Sequence, residues 1–507
     1  MRKDRGVQFY WTQKDPTSAR NIFDKYCKEN DVILDPFLGG GSSLYAIRNS
    51  KYKFIGVEIN EMPYEICCFN SQGINTNLIN SINKDFLKLR SLFEESYKYK
   101  LNNGDDVTIE RVVFDDKENP KLKSISYRDS NNRLYKNECN IELFNLYKER
   151  NQNYKNNNLL NSDILLERNS RIAVKDNMYL SSIFSPVNFY VLDLISQKMN
   201  KNMKFILGSV LHLCKLTDLK SQSQFPYWIP KKNIVDRNIF SAMAKKITQL
   251  SKINTSEIKK VNSFANLKKY NSSCLLLNKP IQKITNNDIP DNSIDFILTD
   301  PPYFDQVAYS EYLKIWESFT GYKSYFKDEI IVSQRINNTK TTTDYLNLMT
   351  EAFEIIFKKL KPNGNMVIYF KDSRLDKMGE FLKILNRVGF AFISQDYIST
   401  KKFTYKQNTS KKSTIAGDSI FHFSKKINNT PTLKQTGGIE PLIKQFVTKY
   451  LNKHKKASLG ELLNNGLLKH LYDNNSINEI INTKNFLSII EEYCRFVDDE
   501  RVYILKN

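Results

Sequence analysis

The sequence is poor in the residues that build disulfide frameworks and metal centres. Its 507 residues include seven cysteines, an odd number, and no two of them are spaced as Cys-x-x-Cys. Only four histidines are present, and they are scattered along the chain. A disulfide framework and a thiolate zinc site are therefore both disfavoured. We expect a reduced protein that holds no metal.

Long apolar runs are also missing. Runs such as residues 205–210 (FILGSV) are far shorter than the roughly 20 residues that a membrane-spanning helix needs. The first ten residues contain no apolar stretch of the signal-peptide type. A secreted or integral membrane protein is therefore disfavoured, and a cytoplasmic one is expected.

The sequence contains fewer acidic than basic residues. Asp and Glu number 55 against 76 Lys and Arg, which gives a formal net charge of +21, while 40% of the residues are hydrophobic. The hydrophobic fraction is that of a globular protein, and the length suits two or three domains. The basic excess favours a partner that carries phosphates, although a solvated basic surface alone could also produce it.

The spacing of apolar residues predicts an α/β domain that is interrupted by an insertion. A buried strand over residues 31–35, a glycine-rich turn, a helix and a second strand over residues 53–58 form one βαβ unit. Similar patterning returns after a long polar and mixed stretch, which is too long to be a loop. We predict a first α/β part (1–74), an inserted domain (75–271), a second α/β part (272–426) and a C-terminal helical domain (439–507) whose pattern is compatible with a winged-helix module.

The first chemical motif is the turn DPFLGGGSS at residues 35–43. A dinucleotide fingerprint fails because its third glycine would fall on Leu44, and no Gly-Lys-Ser/Thr follows as in a Walker loop. Asp35 suits an ammonium group better than a pyrophosphate, and Glu58 could accept hydrogen bonds from both hydroxyls of a ribose. A nucleoside joined to an amino acid has both groups, as in S-adenosylmethionine. The alternative is a tight glycine turn that binds no ligand.

The second motif, Asp300-Pro301-Pro302-Tyr303, directly follows a predicted buried strand. The two prolines fix the backbone and donate no hydrogen bonds, so nearby carbonyls are presented as acceptors. Asp300 and the Pro301 carbonyl can accept both hydrogens of an exocyclic amino group, and Tyr303 offers a face for a planar base. Hydrogen bonds that accept both amino hydrogens make the nitrogen lone pair available to an electrophile. A Pro-Pro turn with a capping aspartate is the structural alternative.

With these two motifs the sequence resembles the DNA amino-methyltransferases, which act on adenine N6 or cytosine N4. The resemblance implies a Rossmann-like α/β methyltransferase fold with a mostly parallel seven-stranded sheet, a large α+β insertion and a small, mainly helical C-terminal domain. Residues 11–16 (WTQKDP) are similar to the family's N-terminal cofactor motif. The residues that the resemblance assigns to S-adenosylmethionine are Thr12, Asp35, Pro36, Phe37, Gly39, Gly41 and Glu58.

Some details depart from the commonest family pattern. Asp15 precedes the proline of the N-terminal motif, and Gly40 stands where a small residue such as serine is frequent. The insertion between cofactor and catalytic motifs corresponds to the alpha arrangement and would carry target recognition, whereas the DPFxGxG loop is more usual in the beta arrangement. Large relatives often have a zinc ribbon equivalent to residues 97–139. Only Cys139 remains here, so a β-rich remnant without metal is expected.

The resemblance implies transfer of a methyl group to a base that is flipped out of duplex DNA. Asp at the head of the catalytic motif favours adenine N6. Cytosine N4 remains an alternative, as do a non-catalytic DNA-binding subunit of a restriction or defence complex and methylation of RNA. The expected partner is double-stranded DNA, with a restriction or defence-system protein as a second candidate, in the cytoplasm and at the nucleoid.

Two segments are candidates for contacts with DNA. Residues 221–232 interleave polar, aromatic and basic side chains, as a loop that follows phosphates and bases would. A second set of lysines lies in the turn of a predicted terminal hairpin. The candidates are Tyr227, Trp228, Lys231, Lys232, Lys401, Lys402 and Lys406. Phe37 and Phe304 are candidates for walls of the cofactor or base pocket, with core packing as the alternative.

Overall fold

The computed structural model describes residues 10, 14–156, 163–168, 173–219, 227, 229–230, 232–304, 307, 309–335, 339–370, 374–398, 417–425, 438–476, 479–480 and 483–506. Six predicted site residues lie outside the described residues, namely Thr12, Trp228, Lys231, Lys401, Lys402 and Lys406. In the described part of the chain, no helix is both long enough and apolar enough to cross a membrane.

The strands are, in chain order, β1 Val32–Asp35, β2 Lys53–Glu58, β3 Lys98–Lys100, β4 Asp106–Phe114, β5 Leu122–Asp129, β6 Leu134–Glu138, β7 Thr217–Asp218, β8 Ile234–Arg237, β9 Lys259–Val261, β10 Ser273–Asn278, β11 Ile294–Thr299, β12 Leu360–Phe370, β13 Phe390–Ile398, β14 Asp418–Lys425, β15 Cys494–Val497 and β16 Val502–Leu505. The α-helices are α1 Pro16–Tyr26, α2 Ser42–Ala46, α3 Glu61–Ser71, α4 Thr76–Phe93, α5 Ile141–Asn156, α6 Pro186–Ser196, α7 Lys201–Cys214, α8 Ile239–Leu250, α9 Tyr309–Tyr312, α10 Lys314–Thr320, α11 Thr342–Lys359, α12 Leu375–Val388, α13 Ile439–His454, α14 Leu459–Asn464, α15 Leu467–Asp473 and α16 Thr483–Tyr493.

The main sheet has the order β13-β14-β12-β11-β1-β2-β10-β9. All neighbouring pairs are parallel except the two that involve β14, which runs antiparallel to both β12 and β13. The predicted Rossmann-like α/β class is confirmed. The sheet has eight strands where seven were predicted, because three residues of the expected insertion, β9, pair with the edge of β10.

Helices cover both faces of this sheet, which explains the continuous apolar runs of its strands. Every residue of β1 is buried. Ile33 packs in a cluster with Phe23 of α1, whereas Leu34 packs in a separate cluster with Phe353 of α11. Successive side chains of a strand point to opposite faces. With both faces covered, the sheet leaves its strand ends available for a ligand.

The insertion forms a smaller antiparallel sheet in the order β6-β5-β4-β8-β7, with β3 paired to β4. Its helices α6 and α7 join one core with α10, which follows the DPPY motif in the chain. The indole nitrogen of the buried Trp316, in α10, donates a hydrogen bond to the Gly208 carbonyl of α7 at 2.9 Å. The insertion is therefore fixed to the segment that carries the second motif.

The C-terminal helices α14 and α15 pack on β13, and the β15–β16 hairpin packs on α13 and α16 within the same core. The buried Gln395 of β13 donates to the Leu463 carbonyl at 3.2 Å and accepts from the Leu468 amide at 2.8 Å. These bonds satisfy backbone groups at the end of α14 and the start of α15. The C-terminal segment thereby covers the outermost strand of the main sheet. The four-part domain division stays a prediction.

Candidate functional site

A cavity opens at the carboxyl ends of the central parallel strands, where open α/β sheets bind ligands. Asp35 ends β1, Glu58 ends β2 and Asp300 follows β11, so three adjacent strands bring three carboxylates to one edge of the sheet. The cavity holds about 1020 Å³ including its open mouth. The predicted site residues that line it are Asp35, Pro36, Phe37, Gly39, Glu58, Asp300 and Pro302.

Asp35 orders the glycine-rich turn. One of its carboxylate oxygens accepts from the Phe37 amide at 3.1 Å and from the Thr299 hydroxyl at 3.0 Å, and the other accepts from the Ser43 hydroxyl. Because the group is buried, its pKa is raised to about 6 against the opposing effect of these hydrogen bonds. Asp35 therefore ties the turn to the end of β11. Its predicted contact with an ammonium group stays a prediction.

The carboxylate of Glu58 is oriented by two backbone amides. Its oxygens accept from the Gly39 amide at 2.8 Å and from the Asn60 amide at 2.9 Å. Burial raises the pKa of Glu58 to about 7. Each carboxylate oxygen can accept a further hydrogen bond. The group is thus pre-oriented at the cavity wall and retains acceptor capacity for hydroxyl donors.

The turn uses two glycines in the left-handed region, Gly39 with φ +50° and Gly41 with φ +81°. Gly41 also has close neighbours, because a Cβ there would lie 2.7 Å from Cys67 Sγ and 2.9 Å from the Tyr45 hydroxyl. Gly41 caps α2 and does not itself line the cavity. Position 41 therefore requires glycine for two reasons, namely the left-handed backbone conformation and the lack of room for a Cβ atom.

Replacing Gly41 with alanine should destabilise the protein by about 1–3 kcal/mol beyond the cost of the left-handed φ itself, because the added methyl overpacks a rigid turn. Gly104 is a matched control, since its φ is +90° and no described atom lies within 4 Å of the position that a Cβ would take. Urea denaturation of both variants measures the difference. Equal midpoints for Gly41→Ala and Gly104→Ala would contradict the packing account.

Hydrogen bonds to Tyr345 and to the backbone of Tyr369 hold the DPPY segment in place. The Tyr345 hydroxyl donates to the Pro302 carbonyl at 2.8 Å, and the Tyr303 hydroxyl contacts Asp300 Oδ1 and the Tyr369 carbonyl. The Tyr303 ring packs edge-on against Phe370, and neither Tyr303 nor Pro301 is part of the cavity lining. The Pro302 carbonyl is thus already occupied by a donor. The roles predicted for Pro301 and Tyr303 stay predictions.

Several cavity residues were missed by the sequence analysis. Lys14 places its ammonium 3.4 Å from Asp300 Oδ2 and 5.4 Å from the centre of the Tyr369 ring. Tyr10 and Tyr309 stack with their ring centres 5.9 Å apart and both line the cavity. Each of these contacts joins residues far apart in the sequence. Lys14 lies within the N-terminal motif of residues 11–16, but that motif does not indicate its contact with Asp300.

The Asp15 that departs from the family pattern has a structural explanation. Its side chain accepts from the Thr17 amide at 3.1 Å and caps the N-terminus of α1, with Pro16 at the first helical position. Aspartate and proline are favoured at these two positions. This cap sets the start of the helix directly after Lys14, whose side chain reaches Asp300.

Two aromatic predictions need correction. Tyr227 is only 3% exposed and its hydroxyl donates a hydrogen bond to the Glu311 carbonyl, so its ring is buried and is not presented to a duplex. Phe304 is 2% exposed and stacks on Tyr345 with ring centres 4.3 Å apart, so it belongs to the core and not to the pocket wall. Phe37 does line the cavity, and Lys232 is exposed.

Residues 97–139, the region of the possible zinc-ribbon remnant, contain the strands β3 to β6. Cys139 is exposed. Within the described ranges, no cluster of three or more His, Cys, Asp or Glu side chains is arranged to hold a metal ion.

A family model described as DNA methylase matches residues 2–68 and 294–488, just over half of the chain. The Type II methyltransferase M.MjaII of Methanocaldococcus jannaschii is 22% identical over an alignment of 342 residues that covers 60% of this chain. The chain spans about 60% of the length of that relative. The matched family regions contain both motifs and leave out the whole of the predicted insertion, residues 75–271.

Similarities to solved structures are more distant. A protein of Thermus thermophilus, TTHA0409, classed as a putative DNA modification methylase, is 12% identical with a TM-score of 0.15, covering 29% of this chain and 52% of that chain. The antibiotic-resistance methyltransferase Kmr is 7% identical with a TM-score of 0.18, covering 32% of this chain and 68% of that chain. At these TM-scores the two similarities support no conclusion about this chain.

Proposed function

This chain belongs to the N6/N4 family of DNA methylases, and from that premise we propose that it transfers a methyl group from S-adenosylmethionine to the N6 amino group of adenine in duplex DNA. The single observation that supports this best is the shared cavity. It places Asp300 of the DPPY motif at the same sheet edge as the glycine-rich turn and Glu58. Two segments more than 200 residues apart thus face one ligand space.

The cavity residues fit S-adenosylmethionine. Glu58 is a buried, oriented acceptor for ribose hydroxyls, the turn around Gly39 leaves its backbone bare, and Asp35 offers a carboxylate near the cofactor's amino-acid end. When bound, this cofactor supplies an electrophilic methyl group. Asp35, Phe37 and Glu58 would hold it, and the two stacked tyrosines Tyr10 and Tyr309 would help to exclude water from the same space.

Asp300 is proposed to bind the target base. Its carboxylate accepts a hydrogen from the exocyclic amino group, the Pro301 carbonyl accepts the other, and the nitrogen lone pair becomes less delocalised into the ring. The base flips out of the duplex at a cost of a few kcal/mol. Stacking of the base on Tyr303 is part of the proposal, although the Tyr303 ring packs edge-on against Phe370 and lies outside the cavity lining. Positioning of the amino group provides most of the rate acceleration.

Specific binding of duplex DNA is part of the proposal. The net charge of +21 favours phosphate contacts, and the exposed Lys232 lies on the insertion, the candidate target-recognition region. The relative M.MjaII is named a Type II methyltransferase, which supports site-specific modification here. Aspartate at position 300, where serine would favour cytosine N4, supports adenine as the base.

Incubation with tritiated S-adenosylmethionine and duplex DNA, followed by hydrolysis and chromatography of the bases, tests this function. Label is expected in N6-methyladenine and should be lost in the Asp300→Ala variant. Label in N4-methylcytosine would overturn the base assignment. Label found only when RNA replaces DNA would overturn the substrate class, and binding of DNA without any transfer would overturn catalysis.

A further inference from the structure

A buried glutamate that neither sequence motif includes also lines the cavity. Glu329 lies in the segment between α10 and α11, 29 residues after Asp300, and only 5% of it is exposed. Buried carboxylates are rare unless they are paired or bind something. Its surroundings therefore indicate whether it serves the fold or a ligand.

The backbone around Glu329 is held firmly by neighbouring side chains. The buried Lys340 donates to the Glu329 carbonyl at 2.6 Å and to the Lys327 carbonyl at 2.9 Å. The Tyr325 amide donates to the Asn60 side chain at 3.1 Å, and the Gln282 side chain donates to the Asp328 carbonyl at 3.4 Å. The segment is thus tied to the chain that leaves β2 and the chain that leaves β10, two borders of the cavity.

The carboxylate itself is only half satisfied. One oxygen accepts from the Ser310 amide at 3.2 Å. Its other oxygen, Oε2, is buried and has no hydrogen-bond partner in the described part of the protein. The Arg335 guanidinium forms a 2.8 Å ion pair with Glu311, and its charge, together with hydrogen bonds from Ser310, opposes the rise in the pKa of Glu329 that burial causes. An unsatisfied buried acceptor is costly, so Oε2 is a candidate to accept a hydrogen bond from a ligand.

Glu329 lies toward the Glu58 end of the cavity. The negative charges of Glu329 and Asp35 both contribute to the raised pKa of Glu58, and Glu329 also raises the pKa of Tyr10, whereas Asp300 acts on Asp35. Burial is the largest cause in each case. The strand order β11-β1-β2 places Asp300, Asp35 and Glu58 in that sequence along the sheet edge. Asn60, whose amide donates to Glu58 at 2.9 Å, accepts from the Tyr325 amide at 3.1 Å, which holds the segment of Glu329 on the Glu58 side of the cavity. In the proposed function Glu58 and Glu329 face the nucleoside half of the cofactor.

We propose that Glu329 is a cofactor-binding residue whose Oε2 accepts a hydrogen bond from a ribose hydroxyl, beside Glu58. This inference rests on the proposed function, since it takes S-adenosylmethionine as the ligand. Glu58 already receives one backbone hydrogen bond on each oxygen, so a second carboxylate allows the two hydroxyls to be shared between two acceptors. A hydroxyl donor satisfies the buried oxygen and gains a charge-assisted hydrogen bond.

Calorimetric binding of S-adenosylhomocysteine to the full chain tests this role. Glu329→Gln should weaken binding about tenfold or more, the effect of losing one charge-assisted hydrogen bond. Glu354→Gln is the matched control, because it makes the same change at an exposed position on α11 and should leave affinity unchanged. Failure of the wild-type protein to bind would overturn the proposed function. Wild-type binding with an unaffected Glu329→Gln variant would overturn only this inference.

Competition against S-adenosylhomocysteine separates a hydroxyl contact from a purely structural effect. Adenosine should lose affinity for Glu329→Gln, whereas 2′,3′-dideoxyadenosine, which lacks both hydroxyls, should bind the variant and the wild type alike. An equal loss for both nucleosides would overturn the hydroxyl contact. If Glu329→Gln does not fold, Glu329→Asp, which keeps the charge on a shorter side chain, is measured with the same pair of nucleosides.

Discussion

Replacing Asp300 with alanine is expected to lower the turnover of methyl transfer to DNA by about 10²–10³-fold, the range seen when a group that stabilises a transition state is removed. The side chain lies at the cavity, where it contacts the Tyr303 hydroxyl and stands 3.4 Å from the Lys14 ammonium. Its proposed partner is the amino group of the base. Single-turnover assays with radiolabelled S-adenosylmethionine measure this loss.

The affinity of Asp300→Ala for S-adenosylhomocysteine should remain nearly that of the wild type, because the proposed cofactor contacts come from β1, β2 and the turn. Asp473→Ala is a matched control, since it removes an exposed carboxylate from α15 and should keep full turnover. Substantial residual turnover in Asp300→Ala would refute the role of its carboxylate. A parallel loss of cofactor binding would instead indicate damage to the turn.

Replacing Glu58 with glutamine should weaken the binding of S-adenosylhomocysteine by about 10²-fold. Hydrogen bonds to a charged group contribute roughly 1.5–3 kcal/mol each, and the amide also sets an NH₂ group against one of the two backbone amides that Glu58 now binds. Calorimetry measures the loss, and thermal denaturation verifies that the variant is folded. An affinity within the error of the wild type would remove Glu58 from the site.

The same carboxylate predicts a pH dependence of cofactor binding. Burial raises the pKa of Glu58 to about 7, so the group becomes protonated as the pH falls through 7. A neutral carboxyl accepts weaker hydrogen bonds than a carboxylate does. The wild-type affinity should therefore fall about tenfold between pH 8 and pH 6. This slope should be much reduced in Glu58→Gln, and an identical slope in both proteins would assign it to another group.

The strands that form the site were predictable because their patterns are local. Three apolar runs end at an acidic residue or directly before one, namely residues 31–35, 53–58 and 293–299. The structure has β1, β2 and β11 at these positions. The insertion was harder to interpret. The Asn-rich stretch over residues 151–158 gave no periodic apolar signal, yet α5 extends through its first six residues.

Only those site residues that belong to a local sequence motif could be predicted. The turn and the DPPY segment were identified from adjacent residues, whereas Lys14, Tyr309 and Glu329 enter the cavity through contacts across the fold. Tyr227 shows the opposite error. The segment around it interleaves polar, aromatic and basic residues, so the local sequence suggested a loop that contacts DNA. The Tyr227 hydroxyl instead donates to a backbone carbonyl of α9, and the ring is buried.

The central position of β1 has a consequence for synthesis of the protein. One edge of β1 pairs with β2, but the other pairs with β11, and Ile33 lies opposite Phe296. A ribosome adds roughly 5–20 residues per second, so the nascent first strand waits on the order of ten seconds or more for its second neighbour. The insertion emerges during that interval, with most of its own antiparallel pairing complete within itself. We expect the insertion to fold early. Its folding shortens the chain that remains flexible between β2 and β11, and β11 must pair with β1 before the site can hold a methyl donor.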